Sequence, residues 1–235
     1  MRQPPEREEI DGPPSCGIAV WSAMTYRSRA QLDAGLADVV HSPLDQGRLA
    51  LIVRRPASGV REVLAEAVLD PTLGLVGDNW SVRPSSQTPD RSPHPDMQLN
   101  VMNARVAALV AGPPTPLGDK TAGDRAVGVY AVGNGPMADH LPIDRRTLAG
   151  DQLYLDLDLS EANLPAGTRL YLGSAIIEVT AQPHTGCAKF SARYGVDALR
   201  FVNSTSGRRL RLRGLNARVI VGGTVRVGDV VAKVG

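Results

Sequence analysis

At 235 residues, 43% hydrophobic and 21% charged, the chain can bury a core of its own, which excludes wholesale disorder. A net charge of +2 and 4% aromatic residues disfavour a nucleic-acid surface or a base-stacking platform. The sequence has no apolar run of about 18 residues that would span a membrane and no apolar leader, so a cytoplasmic chain with no membrane partner is expected. Its two cysteines, Cys16 and Cys187, cannot build a disulfide framework or a tetrahedral cysteine zinc site.

Residues 1–17 are polar and proline-bearing and read as a flexible arm, leaving 18–235 as a single domain. Residues 28–40 fit a short helix with Leu32, Leu36 and Val39 on one face and Ser28 as N-cap, stopped near Pro43. An apolar run at 49–53 predicts a strand, and 60–69 suits a strand or a helix. A turn-rich stretch, Gly74-Leu75-Val76-Gly77-Asp78-Asn79-Trp80, leads into 81–96, whose prolines and serines predict a surface loop or lid. A short helix is expected from Asn103 and closed by Gly112, while 120–140 is too glycine-rich to assign.

The second half is clearer. In 153–159 the leucines at 153, 155, 157 and 159 share one face of a half-buried strand, opposite Asp156 and Asp158. Gly173-Ser174 predicts a hairpin turn, and three β-branched runs between 217 and 234 are separated by glycines. Many short strands with glycine turns point to a barrel or a sandwich. One segment breaks this pattern: Cys187, Phe190 and Tyr194 lie on one helical face, with Gly195 as the stop and a further helical turn over 197–202. The alternation Arg209-Leu210-Arg211-Leu212-Arg213 fits a strand with one wet face.

Cys187 is the sharpest candidate for chemistry. A helix N-terminus, with Lys189 and Arg193 within two turns, favours a thiolate, and His184 could accept its proton. Such a sulfur could ligate a soft metal, carry sulfur or act as a nucleophile; equally, a free cysteine is often a small buried hydrophobe. The run Lys189, Arg193, Arg200, Arg208, Arg209, Arg211 and Arg213 could grip a phosphate-bearing ligand or form a solvated face. Asp78 and Asn79 could orient a ligand or cap a turn.

The string His184-Thr185-Gly186-Cys187-Ala188-Lys189-Phe190-Ser191-Ala192-Arg193-Tyr194-Gly195 resembles the cysteine signature of MOSC domains, named for the C-terminal region of molybdenum cofactor sulfurases. Gly74-Leu75-Val76-Gly77-Asp78, Gly150-Asp151-Gln152 and the glycine-bounded strands after Gly214 are similar to further segments of that family, most specifically over 150–234. The resemblance implies a mainly β (α+β) fold, a strongly bent β-barrel of MOSC, pyruvate-kinase-barrel-like type with a few short helices. It implies a molybdenum-cofactor- or sulfur-handling protein in which Cys187 is catalytic, as metal ligand or persulfide carrier. It further implies Lys189, Arg193, His184, Asp78 and Asn79 around a small-molecule or pterin ligand, and a sulfur-donor protein as partner. Pyridoxal phosphate is associated with the family through a large separate domain that this chain has no room for. Gly186 stands where the family often has proline, which leaves the loop less constrained. The alternative is a non-enzymatic barrel holding an anionic small molecule, with Cys187 as packing.

Overall fold

The computed structural model describes residues 26–112, 129–131 and 144–235. The proposed N-terminal arm, Cys16 and most of 120–140 lie outside the described residues.

The chain opens with α1 (Arg29–Val40), begun by Ser28 in a capping box with Gln31, and it buries Leu32 and Val39 as its spacing predicts. Strands β1 (Gly47–Arg54), β2 (Val60–Leu64), β3 (Glu66–Asp70) and β4 (Gly74–Leu75) follow, so the ambiguous 60–69 stretch is two strands broken at Ala65. Then come β5 (Leu99–Asn103), α2 (Ala104–Ala111), β6 (Val129–Ala131), β7 (Leu153–Asp156), β8 (Arg169–Leu172) and β9 (Ala175–Val179). Three short helices, α3 (Ala188–Tyr194), α4 (Val196–Asn203) and α5 (Thr205–Arg209), precede β10 (Leu215–Val221), β11 (Gly223–Arg226) and β12 (Val230–Lys233).

Seven strands close on themselves in the order β1-β12-β8-β9-β10-β5-β7 and back to β1. All these pairings are antiparallel except β5 with β7, which is parallel, with Val101 opposite Leu153. The result is a closed mixed β-barrel with a few short helices, as the resemblance implies. β11 pairs with β3, which pairs on its other side with β4, in a small second sheet whose Leu69, Leu75 and Val225 join the barrel core.

Side-chain alternation sorts the wall into two apolar layers. Leu153, Leu155, Leu157 and Leu159 all face the barrel interior, although β7 itself ends at Asp156. Tyr154 and Met102 point outward instead, into a second core under α1, α2, α3 and α4. In β1 the register to β7 shifts between Leu49 and Leu51, so Leu49 and Ile52 go inward while Leu51 and Val53 go outward. That bulge explains why 49–53 is apolar without alternation. Both phenylalanines, Phe190 and Phe201, are buried in the outer layer, each worth about 1.5–3 kcal/mol in removal from water.

The expected strand at 209–213 is not formed. Ser204 Oγ accepts the Gly207 N–H at 3.0 Å and starts α5, after which the chain turns, with Arg211 at φ 47°. Leu212 is buried by this turn rather than by a pleat.

Asn103 joins the layers. Its Oδ1 accepts the N–H groups of Arg105 and Val106, capping α2, while its Nδ2 donates to Ser42 Oγ and the Leu157 carbonyl, each at 2.8 Å. Asn103→Ala removes a cap worth about 1 kcal/mol and strands buried partners for about 1–3 kcal/mol more. A urea midpoint shift equivalent to about 3 kcal/mol is expected; a loss below about 1 kcal/mol would refute this account.

Candidate functional site

The buried candidates, with Asp151 and Arg213 among them, lie on the outer side of the barrel wall near the start of β7, whereas Cys187 and Lys189 are exposed. Gly150 sits at φ 86°, just before Asp151 and Gln152, both fully buried. Asp151 takes two hydrogen bonds from Arg213 Nη1, at 2.9 and 2.7 Å, and a third contact from His184 Nε2 at 2.9 Å. Arg213 Nη2 continues to the Ala149 carbonyl at 3.0 Å, and its guanidinium lies 5.1 Å from the Phe190 ring centroid. Burial would raise the Asp151 carboxyl, but the Arg213 charge and His184 outweigh it and hold it at about 2. Burial, then Arg213, lowers His184 against the pull of Asp151. A neutral His184 therefore donates its Nε2–H to Asp151, and its Nδ1 has no hydrogen bond among the described residues.

Cys187 follows three residues later. It is exposed and is the extended N-cap of α3, so the helix begins one residue after it and the thiol does not share the buried face of Phe190 and Tyr194. The glycine before it is not loose. Asn203 Oδ1 accepts the Gly186 N–H at 2.9 Å and Asn203 Nδ2 donates to the Gly186 carbonyl at 3.0 Å. A proline at this position would have no N–H for that clamp. The loop is thus pinned at His184 by Asp151 and at Gly186 by Asn203, and it presents the sulfur to solvent.

The cationic residues divide. Lys189 is exposed on α3 with no ion pair among the described residues. Arg193 turns away toward the start of β7, where its Nη1 donates to the Leu148 carbonyl at 2.7 Å. There it meets Arg61, which the sequence reading missed: a Cβ on Gly150 would stand 3.3 Å from Arg61 Nη2 and 3.5 Å from Arg193 Nη1. Arg61 is buried, and its Nε has no hydrogen bond among the described residues. Burial, then the charges of Arg193 and Arg55, lower it to about 10. Its signal in sequence is a lone arginine within the apolar strand pattern Val60-Arg61-Glu62-Val63-Leu64. The basic run is no continuous array, since Arg213 is buried on Asp151 and Arg211 Nη1 donates to the Leu164 carbonyl at 2.6 Å.

Asp78 caps the 3-10 turn over Asn79–Val82 by accepting the Trp80 N–H, and both its oxygens receive the fork of Arg55 at 2.9 Å. Arg55 also reaches Asn100 Oδ1 and the Gly150 carbonyl, so Asp78 holds the same loop from the other side. The neighbouring Asn79 donates its backbone N–H to the Arg55 carbonyl, while its Oδ1 is buried with no hydrogen bond among the described residues. Asp156 pairs with Arg105 at 2.7 Å, which gives it a structural partner. Among the described residues no three His, Cys, Asp or Glu side chains cluster as a metal site.

Residues 145–232, which run from the turn before β7 into β12 and include Asp151, His184, Cys187 and Arg213, match the family model of the MOSC domain. It is this stretch of the chain that is similar to a MOSC domain. No curated protein matches it. Solved structures similar to it include YiiM from Escherichia coli, 19% identical, covering 80% of this chain and 70% of that one with a TM-score of 0.45. Another is the YUAD protein from Bacillus subtilis, 14% identical, covering 79% and 94% with a TM-score of 0.47. The MOSC match begins before β7, so β1, β2 and β5 lie outside it, although Arg55 bonds Asn100 and the Gly150 carbonyl and Arg61 lies against Gly150. No helix among the described residues is long and apolar enough to cross a membrane.

Proposed function

We propose that this chain handles molybdenum cofactor or cofactor-bound sulfur, with Cys187 as the working sulfur. The observation that carries the reading is the exposed thiol at the tip of a loop clamped by His184–Asp151 and by Asn203. The residues present fit the group in two respects: a thiolate suits a soft metal, and the guanidinium excess at Gly150, with Arg61 Nε unpartnered among the described residues, suits a phosphate. Cys187 would hold the metal, and Arg61 and Arg193 the pterin phosphate. When bound, such a cofactor supplies two-electron oxo-transfer chemistry. Lys189 adds positive charge near the thiol, His184 Nδ1 takes its proton, and Asp78 and Asn79 shape the ligand's seat through Arg55. In the carrier version the Cys187 thiolate attacks the outer sulfur of a donor protein's persulfide. A new S–S bond forms on Cys187, the donor's S–S bond breaks, and the donor leaves as a thiolate, with no oxidant consumed.

Protein made in a cofactor-producing host is expected to carry molybdenum and the fluorescent oxidised pterin, with molybdenum about tenfold lower in Cys187→Ser. Equal metal in both would overturn the ligand role. Failure of Cys187 to gain one sulfur in mass from a persulfide donor would overturn the carrier role.

A second reading, a non-enzymatic seat for an anionic small molecule with Cys187 incidental, is favoured by one observation: among the described residues the thiol makes no hydrogen bond, and Arg61 is buried without a carboxylate partner. It expects anion affinity to survive Cys187→Ala and to fall with Arg193→Ala; the reverse pattern would reject it.

A further inference from the structure

The segment from Trp80 to Met97, most of which the sequence marks as a loose loop, lines a half-open cavity of about 200 Å³. Cys187 and the arginines at Gly150 are not in its lining, so it is distinct from the seat described above. Its walls divide by chemistry. Trp80, nearly buried, Met97 and Pro84 supply an apolar slot, while Arg83, Ser85 and His94 supply donors. No carboxylate lines it. Arg83 has no ion pair among the described residues, and both oxygens of the nearest buried carboxylate, Asp78, are taken by Arg55. His94 Nδ1 accepts the Asp96 N–H at 3.2 Å, which leaves the ring proton on Nε2 as a donor. Ser85 Oγ already accepts from the Gln87 N–H at 3.0 Å, so its own hydroxyl proton is free to donate.

Ser86 and Gln87 also line the cavity and carry acceptor oxygens, so the donors do not by themselves decide the ligand; the charged group in the lining is the Arg83 guanidinium, and a guanidinium without an ion pair among the described residues selects an anion. Size limits the rest: an apolar cavity of about 150 Å³ holds benzene, so this one holds a single ring with one small substituent. A planar carboxylate matches the fork of one arginine, whereas a phosphate dianion calls for more positive charge than Arg83 alone provides. We propose that this cavity is a binding site for a small monoanionic carboxylate on a single planar ring, with the carboxylate on Arg83 and the ring between Trp80 and Met97. Arg83 is exposed at the mouth of the cavity; partial desolvation of its guanidinium, then the Arg55 charge, lowers its pKa. The site touches the other one at two seams: Gln182 Nε2 donates to Gln87 Oε1 at 3.4 Å, joining the cavity wall to the segment that leads to His184 and Cys187, and the Trp80 N–H donates to Asp78 Oδ1 at 3.0 Å. Its occupant would therefore lie beside the sulfur-bearing loop without needing the sulfur or a metal.

The test uses sodium benzoate as probe. In full-length protein with Trp21→Phe, Trp80 is the remaining tryptophan, and its fluorescence is followed at constant ionic strength. A saturable change is expected with benzoate and none with equal benzamide. Arg83→Gln should weaken binding about tenfold or more. Ser85→Ala should weaken it about two- to fivefold, and Arg91→Gln, an exposed arginine of the same loop outside the lining, should leave it unchanged. An unchanged near-ultraviolet spectrum shows that each variant keeps its fold. No saturable response, an equal response to benzamide, or equal affinity in Arg83→Gln would overturn the assignment. Because no arm measures molybdenum or persulfide, its failure is separable from that of the proposed function.

Discussion

Asp151→Ala is expected to lower the stability of the folded chain by about 3–5 kcal/mol, the cost of leaving buried Arg213 without its counter-charge. For a chain of this size that is a fall of roughly 6–20 °C in melting temperature. Arg213→Met on top of Asp151→Leu should restore much of the loss, because an apolar pair of similar volume carries no desolvation penalty. The same group sets an acid limb. Its folded-state pKa of about 2 lies below the unfolded value of about 3.9, so its stabilisation is present above about pH 4 and is lost as pH falls toward 2. His184 adds an earlier limb of the same sign. Its folded-state pKa is lowered, so the unfolded chain takes up protons first, and stability declines as pH falls below about 6.5. Denaturant titrations across pH should show both limbs in the wild type. The upper one should be absent in His184→Gln, whose amide can still donate to Asp151. A pH-independent stability between 7 and 3, or a loss under about 1 kcal/mol in Asp151→Ala, would contradict this picture.

Gly214→Ala is expected to be nearly as damaging. Gly214 has φ 105°, and a Cβ there would overlap the Val101 carbonyl oxygen of β5 and press on Met102 Cα at 3.2 Å. Backbone strain and overpacking each cost about 1–3 kcal/mol, so about 3 kcal/mol or more is expected. The displacement also pulls on Arg213, the preceding residue. Gly167 and Gly228, at φ 89° and 98° with nothing within 4 Å, supply the control. Alanine at either should cost only about 1–2 kcal/mol of backbone strain. Urea midpoints for the three variants decide the matter: equal losses would show that β5 yields to the added methyl group.

The features legible in the sequence are those whose signal is local. The Leu153–Leu159 alternation, the Gly173-Ser174 turn and the Ser28 cap each act within a few residues, and each is found where the pattern puts it. Arg209–Arg213 shows how such a pattern fails, because the Ser204 cap wins over a two-residue period. The return of β12 to β1 and the parallel register of β5 with β7 leave no local trace. The site follows the same division. Cys187 and His184 announce themselves by their spacing to glycine and a helical face. Asp151, Arg213, Asn203 and Arg61 do not, because what gives them meaning is a partner remote in the chain: Asp151 and Arg213 are 62 positions apart, and Asp151 and His184 are 33. Gly150-Asp151-Gln152 carries a family likeness, yet the three contacts that converge on its carboxylate are a product of the closed barrel.

Closure itself has a consequence during synthesis. Gly47 pairs with Val231, so the edge of β1 stays unmated until almost the entire barrel sequence has left the ribosome. Contacts of such separation form slowly, and an open strand edge invites pairing with other nascent chains. Expression yield should therefore respond more to temperature and chaperone supply than the equilibrium stability of the finished molecule would suggest.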